Sequence, residues 1–108
     1  CMDAGVLRRY TQRLKDEGVL PGLYMIIGVV PFRSAKSARW IREKLFGSIV
    51  PDAMIDRMEA AADPIAEGKA MLVDYLREIS QIEGVAGAHI MAPNNDDAVP
   101  DVIAAFRK

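Results

Sequence analysis

Arg33 and Ser34 are the first residues of this chain whose types and position suggest chemistry. They follow a continuous apolar run, residues 23–30, which ends at Pro31. Serine is a favoured helix N-cap, and the free N–H groups at a helix start attract anions. Arg33 beside such a helix start could therefore hold a carboxylate or a phosphate. The simpler interpretation, which we favour, is that Ser34 only caps its helix and that Arg33 is solvated.

A second polar group, residues 94–97 (Asn-Asn-Asp-Asp), follows a second apolar segment at residues 87–92. These side chains predict either hydrogen bonds to a polar ligand or a turn followed by a helix cap. His89, the only histidine, lies in the second segment without cysteine or carboxylate at metal-ligand spacing. We expect a core histidine with a hydrogen-bonded ring rather than a general base. Trp40 could stack on a flat heterocycle, but helix-surface aromatics usually pack against their neighbours.

Several classes of site and partner are disfavoured by composition and motif content. Neither G-x-G-x-x-G nor a Walker loop occurs, and the single cysteine, Cys1, excludes an internal disulfide and a Cys-based metal site. The 14 basic and 15 acidic residues give a net charge of -1, which argues against a nucleic-acid-binding protein. The longest apolar run, residues 22–32, is shorter than the ~20 residues that span a bilayer. We expect a cytoplasmic chain with neither a nucleic-acid nor a membrane partner.

The elements that position these residues are predicted to be two strands and five helices. Continuous apolar character in residues 23–30 and 87–92 predicts parallel strands that are covered on both faces. The helices are predicted from apolar periodicity, caps and Gly or Pro boundaries, and they fall at about 4–17, 34–47, 51–58, 63–84 and 99–106. Five methionines, at positions 25, 54, 58, 71 and 91, are expected on core faces.

The alternation of strands and helices predicts crossover connections and a parallel sheet. Two strands cannot close a barrel, which needs eight strands and about 250 residues. Strands this apolar are also not expected at exposed edges. We therefore expect an α/β chain that is the C-terminal portion of a (β/α)8 TIM barrel, with residues 1–108 forming one partial domain. The missing strands are expected upstream, in agreement with Cys1 standing where an initiator methionine would be.

Residues 20–31, Leu-Pro-Gly-Leu-Tyr-Met-Ile-Ile-Gly-Val-Val-Pro, resemble the seventh-strand region of methylenetetrahydrofolate reductases. In that family a Pro-Gly-apolar-apolar-Pro signature closes the strand. Further segments match the family in the same order along the chain: Ile49-Val50-Pro51-Asp52, Glu67-Gly68, Gly84-Val85, His89 and Asn94. Asp3 and Tyr10 fit the helix after strand six, so the resemblance spans essentially the whole chain.

The resemblance implies a flavoprotein barrel that binds FAD noncovalently. The family passes a hydride from NAD(P)H through the flavin to methylenetetrahydrofolate and so forms methyltetrahydrofolate. Its catalytic glutamate, its aspartate near the flavin and most FAD contacts lie in the first six strands, and a folate-contacting glutamine would precede Cys1. We therefore expect no catalytic, cofactor-binding or metal-binding residue within this chain.

The resemblance carries over four substrate-binding positions: Ser37, Ile41, Asn94 and Asn95. Ser37 and Ile41 stand where the family has a glutamine and a phenylalanine on the helix after strand seven. Asn94 matches the eighth-strand asparagine, whereas Asn95 replaces an arginine. These departures indicate a divergent branch, and they affect the folate contacts and the choice of electron donor.

The sequence therefore predicts part of a methylenetetrahydrofolate reductase that is inactive alone. Its expected partners are a folate substrate and the remainder of the barrel, with a homo-oligomer also compatible. Two alternatives stay open. One is a non-catalytic binding or regulatory half-barrel that another chain completes, and the other is a related barrel that acts on another one-carbon substrate.

Overall fold

The computed structural model describes residues 1–108 as five α-helices arranged on two parallel strands. In chain order the elements are α1 (Ala4–Asp16), a 3₁₀ turn (Leu20–Gly22), β1 (Met25–Val29), α2 (Ala35–Lys44), α3 (Asp52–Ala60), α4 (Pro64–Ile79), β2 (Val85–Ile90) and α5 (Ala98–Phe106). The predicted α/β class, with two parallel strands and about five helices, is confirmed. None of the helices is both long and apolar enough to cross a bilayer.

Three helices begin at a residue whose side chain accepts a hydrogen bond from the first turn. Asp3 accepts from the N–H of Val6 at 3.1 Å, and Ser34 accepts from the N–H of Ser37 at 3.0 Å. Asp63 accepts from Ala66 at 3.2 Å. Each bond satisfies an N–H that has no partner within the helix. The predicted starts at Ser34 and Asp63 are confirmed.

The end of α4 was placed too late by the sequence pattern. The helix ends at Ile79 rather than near Gly84, and residues 80–84 form a turn. Gly84 has a φ of 93°, a conformation that redirects the chain into β2 and that glycine adopts without strain. The apolar periodicity includes Ile82 and so extends the predicted helix. In the structure Ile82 is buried but lies in the turn after the helix.

The two strands pair in parallel, with Ile26 opposite Gly87 and Gly28 opposite His89. Side chains alternate between the faces of a strand. Val29 is fully buried in the main apolar cluster together with helix residues, whereas Ile26 is 60% exposed. The helices therefore cover the face that carries Ile27 and Val29, and they leave the opposite face uncovered.

The prediction that both strands are covered on both faces is wrong for this structure. Tyr24 is 90% exposed and Met91 is 46% exposed, so Met91 does not lie in the core as predicted. His89 is also exposed, and its ring makes no hydrogen bond within the chain, so it is not the predicted core histidine. A continuous apolar run indicates that both faces of a strand are suited to burial. It does not determine whether helices of the same chain cover the second face.

Gly68 in α4 lies against the backbone of the loop that follows β1. A Cβ atom at this position would lie 1.9 Å from the carbonyl oxygen of Phe32. Phe32 is itself completely buried. Only glycine permits this approach of helix to loop, so the contact fixes where α4 crosses the end of β1.

We expect Gly68→Ala to lower the free energy of unfolding by about 3 kcal/mol, because the added methyl group displaces the Phe32 backbone. Chemical denaturation measures the effect. Helix propensity alone would make the same substitution stabilising. The control is Ala70→Gly at an exposed position of α4, which should cost about 1 kcal/mol. A Gly68→Ala variant at least as stable as the parent would contradict this packing.

Tyr75 in α4 anchors the start of the chain. Its hydroxyl donates a 2.7 Å hydrogen bond to the carbonyl of Cys1, whose amino group donates to the carbonyl of Gly28 at 2.7 Å. Burial, with smaller contributions from the charges of Asp3 and Glu78, raises the pKa of Tyr75 to about 12.

The raised pKa of Tyr75 predicts a loss of stability in alkali. From the ordinary value of 10.0 to about 12, the folded chain holds a proton that the unfolded chain has released. Stability is therefore complete below pH 10 and falls as the pH rises towards 12. Tyr75→Phe should abolish this loss, because the variant has no phenol to ionise, as measured by denaturation between pH 9 and 12. Tyr10→Phe, at an exposed position, should keep the parental pH profile.

Candidate functional site

The loops that follow the two strands meet at one edge of the sheet, which we call the C-terminal edge (residues 30–34 and 91–97). The N–H of Met91 donates to the carbonyl of Val29 at 2.9 Å and continues the strand pairing. Beyond it, the side-chain amide of Asn95 donates to the carbonyl of Pro31 at 3.1 Å. Ligand sites of parallel α/β sheets lie at this edge.

Asn94 and Asn95 have different roles in the second loop. Asn95 is buried and bridges the two loops through Pro31. Asn94 is exposed, with a left-handed φ of 56°, a conformation that asparagine tolerates better than most residues. The predicted turn at residues 94–97 is confirmed. The predicted side-chain cap is not found, because Asp97 precedes α5 without a capping hydrogen bond.

Asn95→Ala should lower the free energy of unfolding by about 2 kcal/mol, because the carbonyl of Pro31 loses its partner in a buried place. Thermal and chemical unfolding measure the loss. The matched control is Asn94→Gly, which keeps the left-handed turn and should change stability by less than about 0.5 kcal/mol. Equal effects at the two positions would contradict the assigned bridge.

A polar cleft of about 530 Å³ opens beside the C-terminal edge. Its wall includes Arg33, Asn94 and Lys69. Arg33 is exposed and forms no ion pair, whereas Lys69 is paired with Asp101 at 2.7 Å. With Asp96 and further polar groups of this loop nearby, the cleft carries charges of both signs. It is suited to hydrogen-bonding a polar molecule, and it contains no nucleophile–base pair.

Lys69 was not predicted from the sequence. The only sequence feature that could have indicated it is its position in the second turn of α4. Because α4 returns antiparallel to the strands, its first turns lie at the C-terminal edge. No group of three or more His, Cys, Asp or Glu side chains is arranged to hold a metal ion.

The predicted substrate-binding residues do not form one cluster. Asn94 and Asn95 line the cleft, whereas Ser37 lies half-buried in the first turn of α2, where its N–H is used by the Ser34 cap. Ile41 is 3% exposed and belongs to the core, so its side chain presents no surface to a ligand. Trp40 is exposed on the surface of α2. A substrate contact through Ser37 or the asparagines stays a prediction.

The uncovered side of the sheet is a second candidate surface. We call it the open face, and its residues are Ile26, Gly28, Gly87, His89 and Met91. Ile26 lies over Gly87, with its Cδ1 3.3 Å from where a Cβ would stand. Met91 lies over Gly28 in the same way, with its Cε at 3.6 Å. The result is a low apolar surface with one imidazole.

The open face bears on the FAD that the resemblance implies. An apolar surface beside a polar side chain suits one face of a flat ring system. The chain has no glycine-rich loop of the kind that cradles a pyrophosphate. The residues present therefore fit contact with a ring and do not fit the phosphates.

An apolar groove of about 470 Å³ separates β2 from α4 and α5. Leu76, Ile79, Ile103 and Phe106 line it on the helix side, and Arg107 is its one charged residue. The groove lies away from the C-terminal edge. Its composition suits packing against another apolar element and offers no acid–base chemistry.

No protein-family model, curated protein or solved structure matches this chain.

Proposed function

We propose that this chain is the C-terminal wall of a (β/α)8 barrel, and that the complete barrel is a flavin-dependent methylenetetrahydrofolate reductase. The observation that carries the proposal is the one-sided sheet: two parallel strands with helices on one face and an exposed apolar face opposite. This is the arrangement of a barrel wall, where helices lie outside and apolar side chains fill the interior.

The free edge of β1 supports the same proposal. The backbone nitrogen of Cys1 donates to the carbonyl of Gly28, which is the kind of contact a neighbouring strand makes at that edge. Beyond β2, the apolar groove against α4 and α5 lies where the next strand and helix of a barrel would pack. Both sides of the two-stranded sheet thus have room for further strands.

The resemblance supplies the chemistry of the proposal. FAD, when bound, would supply the redox chemistry between NAD(P)H and the folate, and its phosphates would need residues outside this chain. This chain contributes part of the folate-side wall, in which the polar cleft hydrogen-bonds the substrate and the open face excludes water. The chain alone is inactive, because it lacks the family's catalytic glutamate, and the intact enzyme is cytoplasmic.

The test uses the intact protein that contains this segment. It should purify with a flavin absorption spectrum and should oxidise NADH or NADPH faster when methylenetetrahydrofolate is present. The 108-residue chain, purified alone as the control, should retain no flavin and show no turnover. Both measurements are made by absorbance under anaerobic conditions.

Two other outcomes separate the alternatives. Flavin-linked oxidation of NAD(P)H that is indifferent to the folate would reject the reductase and favour a barrel for another one-carbon substrate. An intact protein without flavin that binds neither nucleotide nor folate would favour a non-catalytic half-barrel.

A further inference from the structure

The outer side of α2 carries a tryptophan between two lysines. Lys36, Trp40 and Lys44 follow one another at intervals of four residues, so their side chains lie on the same side of the helix. Ala38 and Ile41, on the other side, are buried in the core. Both lysines are exposed and Trp40 is 53% exposed. This side of α2 is therefore not covered by another element of the chain.

A tight turn at the end of α2 extends this surface with a protruding aromatic ring. The N–H of Ser48 donates to the carbonyl of Leu45 at 3.1 Å, and Gly47 completes the turn with a φ of 83°. Phe46 lies at the tip of the turn and is fully exposed, and Leu45 is 41% exposed. We call residues 36, 40 and 44–46 together the α2 face.

The segment that contains the α2 face is strongly basic. Residues 33–49 contain five basic side chains and one acidic one, whereas the whole chain has a net charge of -1. Acidic side chains of α3 pair with Arg39 and Arg42, whereas Lys36 and Lys44 form no ion pair. The α2 face therefore has positive charge that is free to attract an anionic partner.

Lysines beside exposed aromatic rings indicate which kind of anionic partner is suited to this face. An apolar protein interface would bury Lys36 and Lys44 without counter-charges, which costs free energy. At a bilayer surface, long lysine side chains keep their ammonium groups among the lipid headgroups while neighbouring aromatic rings enter the boundary with the acyl chains. Phe46 projects from a turn, and a fluid lipid layer can accommodate such a ring without a preformed pocket.

We propose that the α2 face binds the surface of a membrane that contains anionic phospholipids. Lys36 and Lys44 contact the anionic headgroups, and Trp40 and Phe46 enter the interface. The expectation of no membrane partner was based on the lack of a segment that spans the bilayer, and a helix that lies on the surface needs none. The inference is independent of the reductase proposal.

The test measures co-sedimentation of the intact protein with vesicles of phosphatidylcholine and with vesicles in which about a third of the lipid is phosphatidylserine. The parent should bind the anionic vesicles about tenfold more tightly than the neutral ones, and added salt should reduce the difference. Phe46→Ser should lose about tenfold in affinity for the anionic vesicles, because no ring enters the interface. Tyr24→Ser, at an exposed position outside the face, is the matched control and should bind as the parent does.

The contribution of charge is tested by the double substitution Lys36→Glu with Lys44→Glu. It should lower the affinity for anionic vesicles by about tenfold and leave binding to neutral vesicles unchanged. Arg9→Glu with Arg107→Glu makes the same change of net charge outside the face and should stay within about threefold of the parent. All four positions are exposed, and thermal unfolding verifies that each variant is folded.

An intact protein that does not bind anionic vesicles would overturn this inference, and so would equal binding to the two kinds of vesicle. Folded variants of the α2 face that bind as the parent does would also overturn it. If the parent stays in the supernatant and Phe46→Ser converts an oligomer to a monomer in size-exclusion chromatography, the face is a protein interface and the inference is wrong. None of these outcomes affects the flavin assay that tests the reductase proposal.

Discussion

Parallel strands cannot be joined by a tight turn, so the chain must leave β1 at one end of the sheet and return to the other end before β2 begins. In this molecule the crossover is made by α2, α3 and α4, and the helices cover the face that carries Ile27 and Val29. The same constraint leaves Ile26 and His89 without a layer above them. Full burial of a side chain such as Ile26 contributes about 1.5–3 kcal/mol. Burial of the open face by a further layer would therefore stabilise the fold.

The C-terminal edge is held by backbone contacts rather than by charge. The Phe32 carbonyl against Gly68 and the Pro31 carbonyl bonded to Asn95 fix both loops to each other and to α4. The ion pairs, such as Arg8 with Glu78 at 2.9 Å, lie on the surface, where a pair contributes about 0–1 kcal/mol. The shape of the polar cleft therefore depends on close packing at two carbonyl groups.

Features that depend on neighbouring residues were predictable, and features that depend on distant ones were not. The starts of α2 and α4 were predicted at Ser34 and Asp63, because a cap is a contact over three residues. The exposure of His89 was not predicted, and Ile41, which was expected to contact a substrate, lies in the core. Each depends on which elements pack nearby. Asn95 illustrates the limit, since its partner, Pro31, lies 64 positions away in the sequence.

The sequence by itself determined the helices, the two apolar strands, the parallel class that their alternation requires, and the absence of cysteine pairs. These follow from periodicity and local hydrogen bonding, which act over a few residues. Only the tertiary structure decided which strand face is open, which asparagine bridges the loops, and that Lys69 joins Arg33 at the cleft. The physical reason is that strand register and helix packing bring together residues far apart in the chain, and the order of residue types does not record those contacts.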